Sequence, residues 1–563
     1  MKFTFSWLKE HLDTTASLDE VVYALTDLGL EVEEVSDPIK KLNHFTIGKI
    51  LKAKKHDDAD KLRVCIVHTD NGEAQIICGA PNAREGILVV VAKPGVYVPG
   101  IDTTIGVGKI RGIESHGMMC SEREMELSDE HDGIIELPSG DIGEPYGDWL
   151  LQNEPEKVDA VVEIAITPNR PDALGVHGIA RDLAARGLGA LRPMEIQPIP
   201  GKFKCPISVS IEPETLINAP VFYGRLIRGV KNGPSPQWLQ NKLRAIGLRP
   251  ISALVDITNF FTYDNNRPLH VFDADKLNGN SIRVHASQGG EKFNALDDKE
   301  YVLSKGMTVI SDNVGVESLA GIMGGIGSGC TDNTENVFIE AAYFNPITTA
   351  YTGRELKINS DARYRFERGI DPEWTAFGIE AATKMIIELC GGEPSEVVQA
   401  GEIPNHSRAY KVDTARIESL VGMAIPADDQ LKILENLGFV INEDNAKVPS
   451  WRPDVQGEAD LVEEVARVVS LTKLQGKPLP RVSNSVPKPV LSATQLRERT
   501  SRRAAAGMGY NECVTYSFID EKSAKLFGGG DPATQLENPI SSEMSHMRPD
   551  FCLLYTSDAA DEP

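Results

Sequence analysis

Residues 45–95 read FTIGKILKAKKHDDADKLRVCIVHTDNGEAQIICGAPNAREGILVVVAKPG. Within them FTIGKILKA, KLRVCIVHTD, AQIICGA and GILVVVAKPG are short runs rich in Ile and Val, and a further run, GIIELP, follows at 133–138. Branched aliphatic side chains suit a pleated, half-buried surface. Short runs punctuated by Gly, Asn and Pro suggest a small barrel over 39–148.

Outward from the barrel the pattern changes. Upstream, SLDEVVYALTDLGL (17–30) reads as a helix. Ser17 and Glu20 suit a capping box, Leu18, Val22, Leu25 and Leu28 share a face, and Gly29 suits the stop. Downstream, 149–198 returns to mixed α and β structure and groups with 1–38 as one N-terminal α/β domain. A Pro-rich linker runs near 191–206. Residues 207–397 look like a large α/β unit, Pro404 to about Pro480 like a compact segment of helix, Gly and strand, and a further α/β unit begins near 490. The fold class is multidomain α+β.

The bulk numbers agree with several cores. The chain has 563 residues, and one domain per ~150 residues gives about four. A net charge of −24 argues against a protein that coats nucleic acid, though local basic patches remain compatible with it. Eight scattered cysteines form no C-x-x-C pair, which fits a reducing, cytoplasmic setting without a cysteine zinc site. No apolar run reaches the ~20 residues of a membrane span. Residues 552–563 lack helix or strand logic, and 552–562 back-translate to a transposon-end sequencing adapter. Gene-derived sequence is therefore expected to end near Phe551.

Four segments carry candidate chemistry. Lys52, Lys54, Lys55, Lys61 and Arg63 make a local basic group that could meet phosphates or simply lie on an exposed strand. His116 and Cys120 could be two metal ligands, but lack a second pair. The glycine-rich GIMGGIGSG (321–329) has no following Lys-Ser/Thr and is not a phosphate loop. In WRPDVQGEADLVEEVARVV (451–469), Asp460, Glu463 and Glu464 share a helical face, and Asp454 lies just before the helix. These four carboxylates suit a hard cation. They equally suit a helix N-terminus, with Arg467 on the same face to neutralise them.

HDDADKLRV, ICGAPNAREG, VGKIRGIESHGMMCSEREM and ITPNRPDALGVHGIARD together resemble the beta subunit of bacterial phenylalanyl-tRNA synthetase. The resemblance continues in order through SALVDITNFFTYDNNRPLHVFDADKL, LAGIMGG, DARYRFERGIDP, the 451–469 stretch and LENPISSEMSHMRPD, reaching residue 551. It implies an OB-fold tRNA-binding barrel at 39–148, an editing region at 207–397, a small helix-rich domain at 401–476, and part of a class II synthetase-like catalytic domain at 485–551. The family continues through that domain to an anticodon-binding domain.

What the resemblance implies of function is specific. An (αβ)2 heterotetramer forms with an alpha subunit that holds ATP and attaches phenylalanine to tRNA(Phe). The beta subunit binds tRNA and hydrolyses tyrosyl-tRNA(Phe). His270 and Glu340 match the family's editing residues, and Gly324, Ser360 and Ala362 match its editing pocket. Asp454, Asp460, Glu463 and Glu464 match positions assigned to Mg2+ shared with the alpha subunit. Without the resemblance, His270 and Glu340 read as packed, structurally paired residues. The competing expectation is a non-enzymatic tRNA-binding scaffold.

Overall fold

The computed structural model describes residues 1–128, 130–480, 490–514 and 516–550. They fall into two compact units, Met1–Gln475 and Gly476–Pro563. The expected adapter-derived tail at 552–563 lies outside the described residues.

The first unit begins with strand β1 (Lys2–Thr4), helices α1 (Phe5–His11) and α2 (Leu18–Asp27), and strand β2 (Val32–Ser36). The capping box forms: Glu20 N donates to Ser17 Oγ at 3.3 Å, and Ser17 N donates to Glu20 Oε2 at 2.8 Å. Val21, Ala24, Leu25 and Leu28 are its buried stripe, with Leu18 and Val22 at the margin. Gly29 stops the helix at φ +87°, where a side chain would be strained.

The barrel follows as β3 (Thr46–His56), β4 (Ala59–Thr69), β5 (Gly72–Cys78), β6 (Leu88–Ala92) and β7 (Met118–Met119). Its antiparallel order is β7-β6-β3-β4-β5, with Glu136–Leu137 also on β6. The two edges are drawn together where His116 N donates to Gln75 O at 2.8 Å. Along β6, Val89 and Val91 face an inner core with Ile50, Cys65, Val67 and Ile76. Val90 and Ala92 face an outer core with Tyr146, Trp149 and Leu150 from helix Tyr146–Asn153. Both faces are covered, so the strand reads as an unbroken apolar run.

The chain then returns to its start. Strand β8 (Val161–Ile164) inserts between β1 and β2, antiparallel to both. Helix α3 (Val176–Ala185) follows and is buried along nearly its whole length, Arg181 and Asp182 included.

The 207–401 region stacks two sheets. Its elements are β9 (Ser208–Ile211), β10 (Val221–Arg228), α4 (Ala253–Asp264), β11 (His270–Asp273), β12 (Ser281–Ala286), β13 (Thr308–Ser311), β14 (Val316–Leu319), β15 (Met323–Gly324), β16 (Asn336–Tyr343), α5 (Asp361–Phe366), α6 (Trp374–Cys390) and β17 (Val398–Gly401). One sheet runs β11-β16-β10, with β17 also on β10; the other runs β9-β12-β13-β14-β15. Strand β16 shows the period-two logic plainly. Val337, Ile339 and Ala341 join the core that contains Leu254 and Ile257 of α4 and Ile379 and Ala382 of α6. Phe338 and Ala342 join the core shared with Ile282, Val284 and Ile310 of the second sheet. Glu340 lies between those last two, on the same side.

The remainder of the unit is β18 (Ala409–Lys411), α7 (Thr414–Val421), α8 (Ala427–Asn436), β19 (Val440–Asn442), β20 (Asn445–Lys447) and α9 (Glu458–Val469). Strands β18, β20 and β19 form one sheet in that order. Gly438 ends α8 at φ +94°, and a Cβ there would meet the Trp451 ring at 2.9 Å. In the second unit, α10 (Ala493–Gly507) carries a Ser492–Gln495 capping box and buries none of its residues within the unit, and α11 (Glu521–Leu526) follows. No described helix is long and apolar enough to cross a membrane.

Candidate functional site

His270 and Glu340 are direct partners across β11 and β16, so their side chains leave the same face of the sheet. On the other side of β16, Gly224 of β10 pairs with Glu340. A side chain at Gly224 would meet the Phe338 ring within 2.9 Å, so that ring occupies the space over Gly224 beside Glu340. Neither Glu340 Oε2 nor His270 Nε2 has a hydrogen-bond partner among the described residues. Unpartnered buried polar atoms are rare and invite a role. Burial alone pushes the Glu340 carboxyl up to about 8 and the His270 imidazole down to about 4. Near neutrality both groups are therefore held in their uncharged forms.

Gly324, at the end of β15, lies against this pair. A Cβ on it would sit 2.6 Å from His270 Nε2, so the histidine ring occupies the space a larger residue would take. The His270 ring stands edge-on to Phe272, with centroids 4.5 Å apart. Ser360 caps α5: its Oγ accepts from Arg363 N at 3.1 Å and donates to Ile322 O at 2.6 Å. That second bond ties the start of α5 to the turn leading into Gly324. Ala362 packs on the core formed by Phe272, Phe338 and Ala342. His270, Glu340 and Gly324 are thus together, and Ser360 and Ala362 are joined to them through the Ile322 turn and the common core. Sequence reasoning missed Gly224, whose signal is a lone glycine inside an otherwise apolar strand.

The basic group lies on the β3–β4 hairpin. Lys52, Lys54, Lys55 and Lys61 are exposed and Arg63 is half-buried. Lys55 stands opposite Arg63 and is held by Asp60 at 2.6 Å. His116 is exposed whereas Cys120 is fully buried, so the two do not present themselves jointly to an ion.

The four acidic residues of 451–469 separate. Asp454 takes both oxygens to Arg452, at 2.9 and 2.7 Å. Glu464 is 2 % exposed and is gripped by Arg452 and by Arg467, the latter at 2.8 and 2.6 Å. Arg467 continues to Asp182 of α3 at 2.8 Å, Asp182 to Arg170 at 2.7 Å, and Arg170 to Asp172 through two bonds of 2.9 Å. These arginines hold the Glu464 carboxyl well below its ordinary range. Asp460 instead accepts from Gln456 N at 2.7 Å, and Glu463 is exposed. The shared acidic face read from the sequence is thus divided: Glu464 and Arg467 point into the protein, not into solvent. Among the described residues no group of three or more His, Cys, Asp or Glu could hold a metal ion. A cation needs free oxygens, and two of the four carboxylates have given theirs to guanidinium groups, so the set does not fit Mg2+.

Comparison with known proteins follows the same division of the chain. Residues 45–144 match a family described as "Putative tRNA binding domain", 218–391 the B3/4 domain, 410–470 the tRNA synthetase B5 domain, and 479–552 the phenylalanyl tRNA synthetase beta chain CLM domain. The phenylalanine–tRNA ligase beta subunit of Ruegeria pomeroyi is 66% identical over 551 residues, covering 98% of this chain and 69% of that protein. Those of Cereibacter sphaeroides and Mesorhizobium japonicum are 60% and 53% identical, with 98% of this chain covered and 69% and 68% of theirs. Similarity this high, running through the barrel, the two-sheet region and the helix-rich segment alike, shows that the chain belongs to the phenylalanine–tRNA ligase beta-subunit family.

Proposed function

We propose that this chain binds tRNA(Phe) and removes tyrosine wrongly attached to it, while an alpha subunit carries out ATP-dependent attachment of phenylalanine within an (αβ)2 assembly. The observation that carries the editing reading is the His270–Glu340 pair: two uncharged, unpartnered polar groups side by side on an apolar sheet face. Tyrosine differs from phenylalanine by one hydroxyl, and an apolar synthetic pocket rejects such an analogue only ~10²-fold. A second site that requires the hydroxyl restores the discrimination. Glu340 supplies an acceptor for that hydroxyl, which phenylalanine cannot offer. His270, neutral at physiological pH, has an imidazole nitrogen lone pair to orient the attacking water or the terminal ribose. Gly324 allows the close approach, and Ser360 and Ala362 complete the wall.

The barrel lysines and Arg63 serve the tRNA backbone. A scaffold without chemistry accounts for them, but leaves a buried carboxyl opposite a histidine without a purpose. No step of the proposed hydrolysis depends on Mg2+.

The test is deacylation of preformed tyrosyl-tRNA(Phe) by the chain assembled with its alpha subunit. Glu340→Ala and His270→Ala are each expected to lower the rate at least about tenfold, in line with loss of a positioned polar group. Rates equal to the unsubstituted protein would return the chain to the scaffold reading.

A further inference from the structure

A cavity of about 450 Å³, whose lining includes neither His270 nor Glu340, is walled in part by Arg181 of α3, Asn266, Asp371 and Trp451. Its polar lining is unusual. Arg181 is 8 % exposed, makes no ion pair among the described residues, and leaves its Nη1 without a partner. Its Nη2 donates to His177 Nδ1 at 3.3 Å, and its guanidinium stacks on the Trp451 ring at 4.1 Å. The buried arginines Arg170, Arg452 and Arg467 by contrast each hold at least two carboxylate bonds. The Trp451 indole N–H is likewise buried and unpartnered.

Two acceptors belong to the same wall. Asn266 is 8 % exposed; its amide nitrogen donates to Pro171 O at 2.8 Å, but its Oδ1 has no partner. Asp371 accepts from Glu373 N at 2.9 Å and from the Ser450 hydroxyl, and makes no ion pair among the described residues. Asp172 and Arg192 of the same wall are taken up by Arg170 and Asp13, so the wall offers a cation and an N–H donor bonded to no carboxylate, and a carboxylate and an amide oxygen bonded to no cation. Buried charges and polar groups are ordinarily paired. Met194 and Trp374 add apolar wall between them.

From this complementarity we propose that the cavity binds a small zwitterion of the α-amino-acid class, its carboxylate on Arg181 and Trp451 and its ammonium on Asp371 and Asn266, with an apolar side chain against Met194 and Trp374. The site is formed by residues from α3, from the segment after α4, from the turn before α6 and from the turn before α9, so a ligand there bridges segments far apart in sequence. It is independent of the editing reading.

Titration calorimetry on the whole chain tests this, with L-leucine and L-methionine as probes. Leucinol lacks the carboxylate, 4-methylpentanoate lacks the ammonium, and inorganic phosphate serves as an anion alone. At least one amino acid is expected to bind saturably, with each leucine analogue and phosphate at least about tenfold weaker. Trp451→Phe keeps the ring under Arg181 but removes the N–H, and is expected to weaken binding several-fold; Arg181→Gln and Asp371→Asn are expected to abolish it. Absence of saturable heat with both amino acids overturns the proposal. So does phosphate binding as tightly as the amino acids, or binding that survives Trp451→Phe and Asp371→Asn unchanged. Should Arg181→Gln fail to fold, the leucine analogues and the Trp451→Phe and Asp371→Asn variants decide the matter.

Discussion

A carboxyl on the apolar side of a sheet is a poor anion, and Glu340 pays for its place there in pH-dependent stability. Its carboxyl ionises near 4.5 when unfolded and near 8 in the fold, so the folded protein retains a proton that the unfolded chain has lost. Stability therefore falls as pH rises from about 4.5 to about 8, by up to about 1.4 kcal/mol per pH unit. His270 acts in the opposite sense and in another window: with its value lowered from 6.5 to about 4, stability falls as pH drops across that range. Glu340→Gln is expected to raise the melting temperature at pH 8 relative to the unsubstituted chain and to leave it near unchanged below pH 4.5. Thermal unfolding at both pH values checks this, and an equal shift at both would refute the buried-carboxyl account. Gly324→Ala belongs to the same scale. Its methyl enters the space of the His270 ring, so editing of tyrosyl-tRNA(Phe) should fall at least about tenfold with little change in tRNA binding.

At the scale of the element, α9 separates what a sequence can reveal from what it cannot. The helix start, its apolar stripe through Leu461, Val465 and Val468, and the ion pair of Glu464 with Arg467 at i, i+3 were legible from spacing. That this pair is buried was not, because its further partners stand far away: Asp182 is 285 positions from Arg467. Strand β16 is the converse case. Its apolar residues around Glu340 read only as packed, because the pairing of Glu340 with His270 and Gly224 depends on register between distant strands. A buried charge left without its partner costs ~3–5 kcal/mol. Arg467→Ala and Glu464→Ala should each destabilise the first unit by about that much, whereas exposed Glu463→Ala should stay within ~0.5 kcal/mol. Denaturant titration of the three variants makes the comparison, and equal losses would contradict the burial of Glu464.

Over the whole molecule, the proposed function assigns binding to the barrel's basic hairpin and chemistry to the His270–Glu340 pair. The barrel, the α2 capping box and the ordered motifs were readable because local pattern determines them. The cavity around Arg181 was not, because it is assembled from four separate segments of the first unit. If Lys52, Lys54 and Lys61 meet phosphates, replacing them together with Ala should weaken tRNA binding and flatten its salt dependence by ~0.7–0.9 in slope for each phosphate no longer neutralised. Deacylation of tyrosyl-tRNA(Phe) already bound should be unaffected. Fluorescence binding over a salt series separates this from a role in catalysis. The central claim is that Glu340 reads the tyrosine hydroxyl, and the most direct measurement is the ratio of deacylation rates for tyrosyl- and phenylalanyl-tRNA(Phe). The unsubstituted assembly is predicted to favour the tyrosyl ester by about 10²-fold or more and Glu340→Ala to bring the ratio close to one; a ratio unchanged by that substitution would contradict the account.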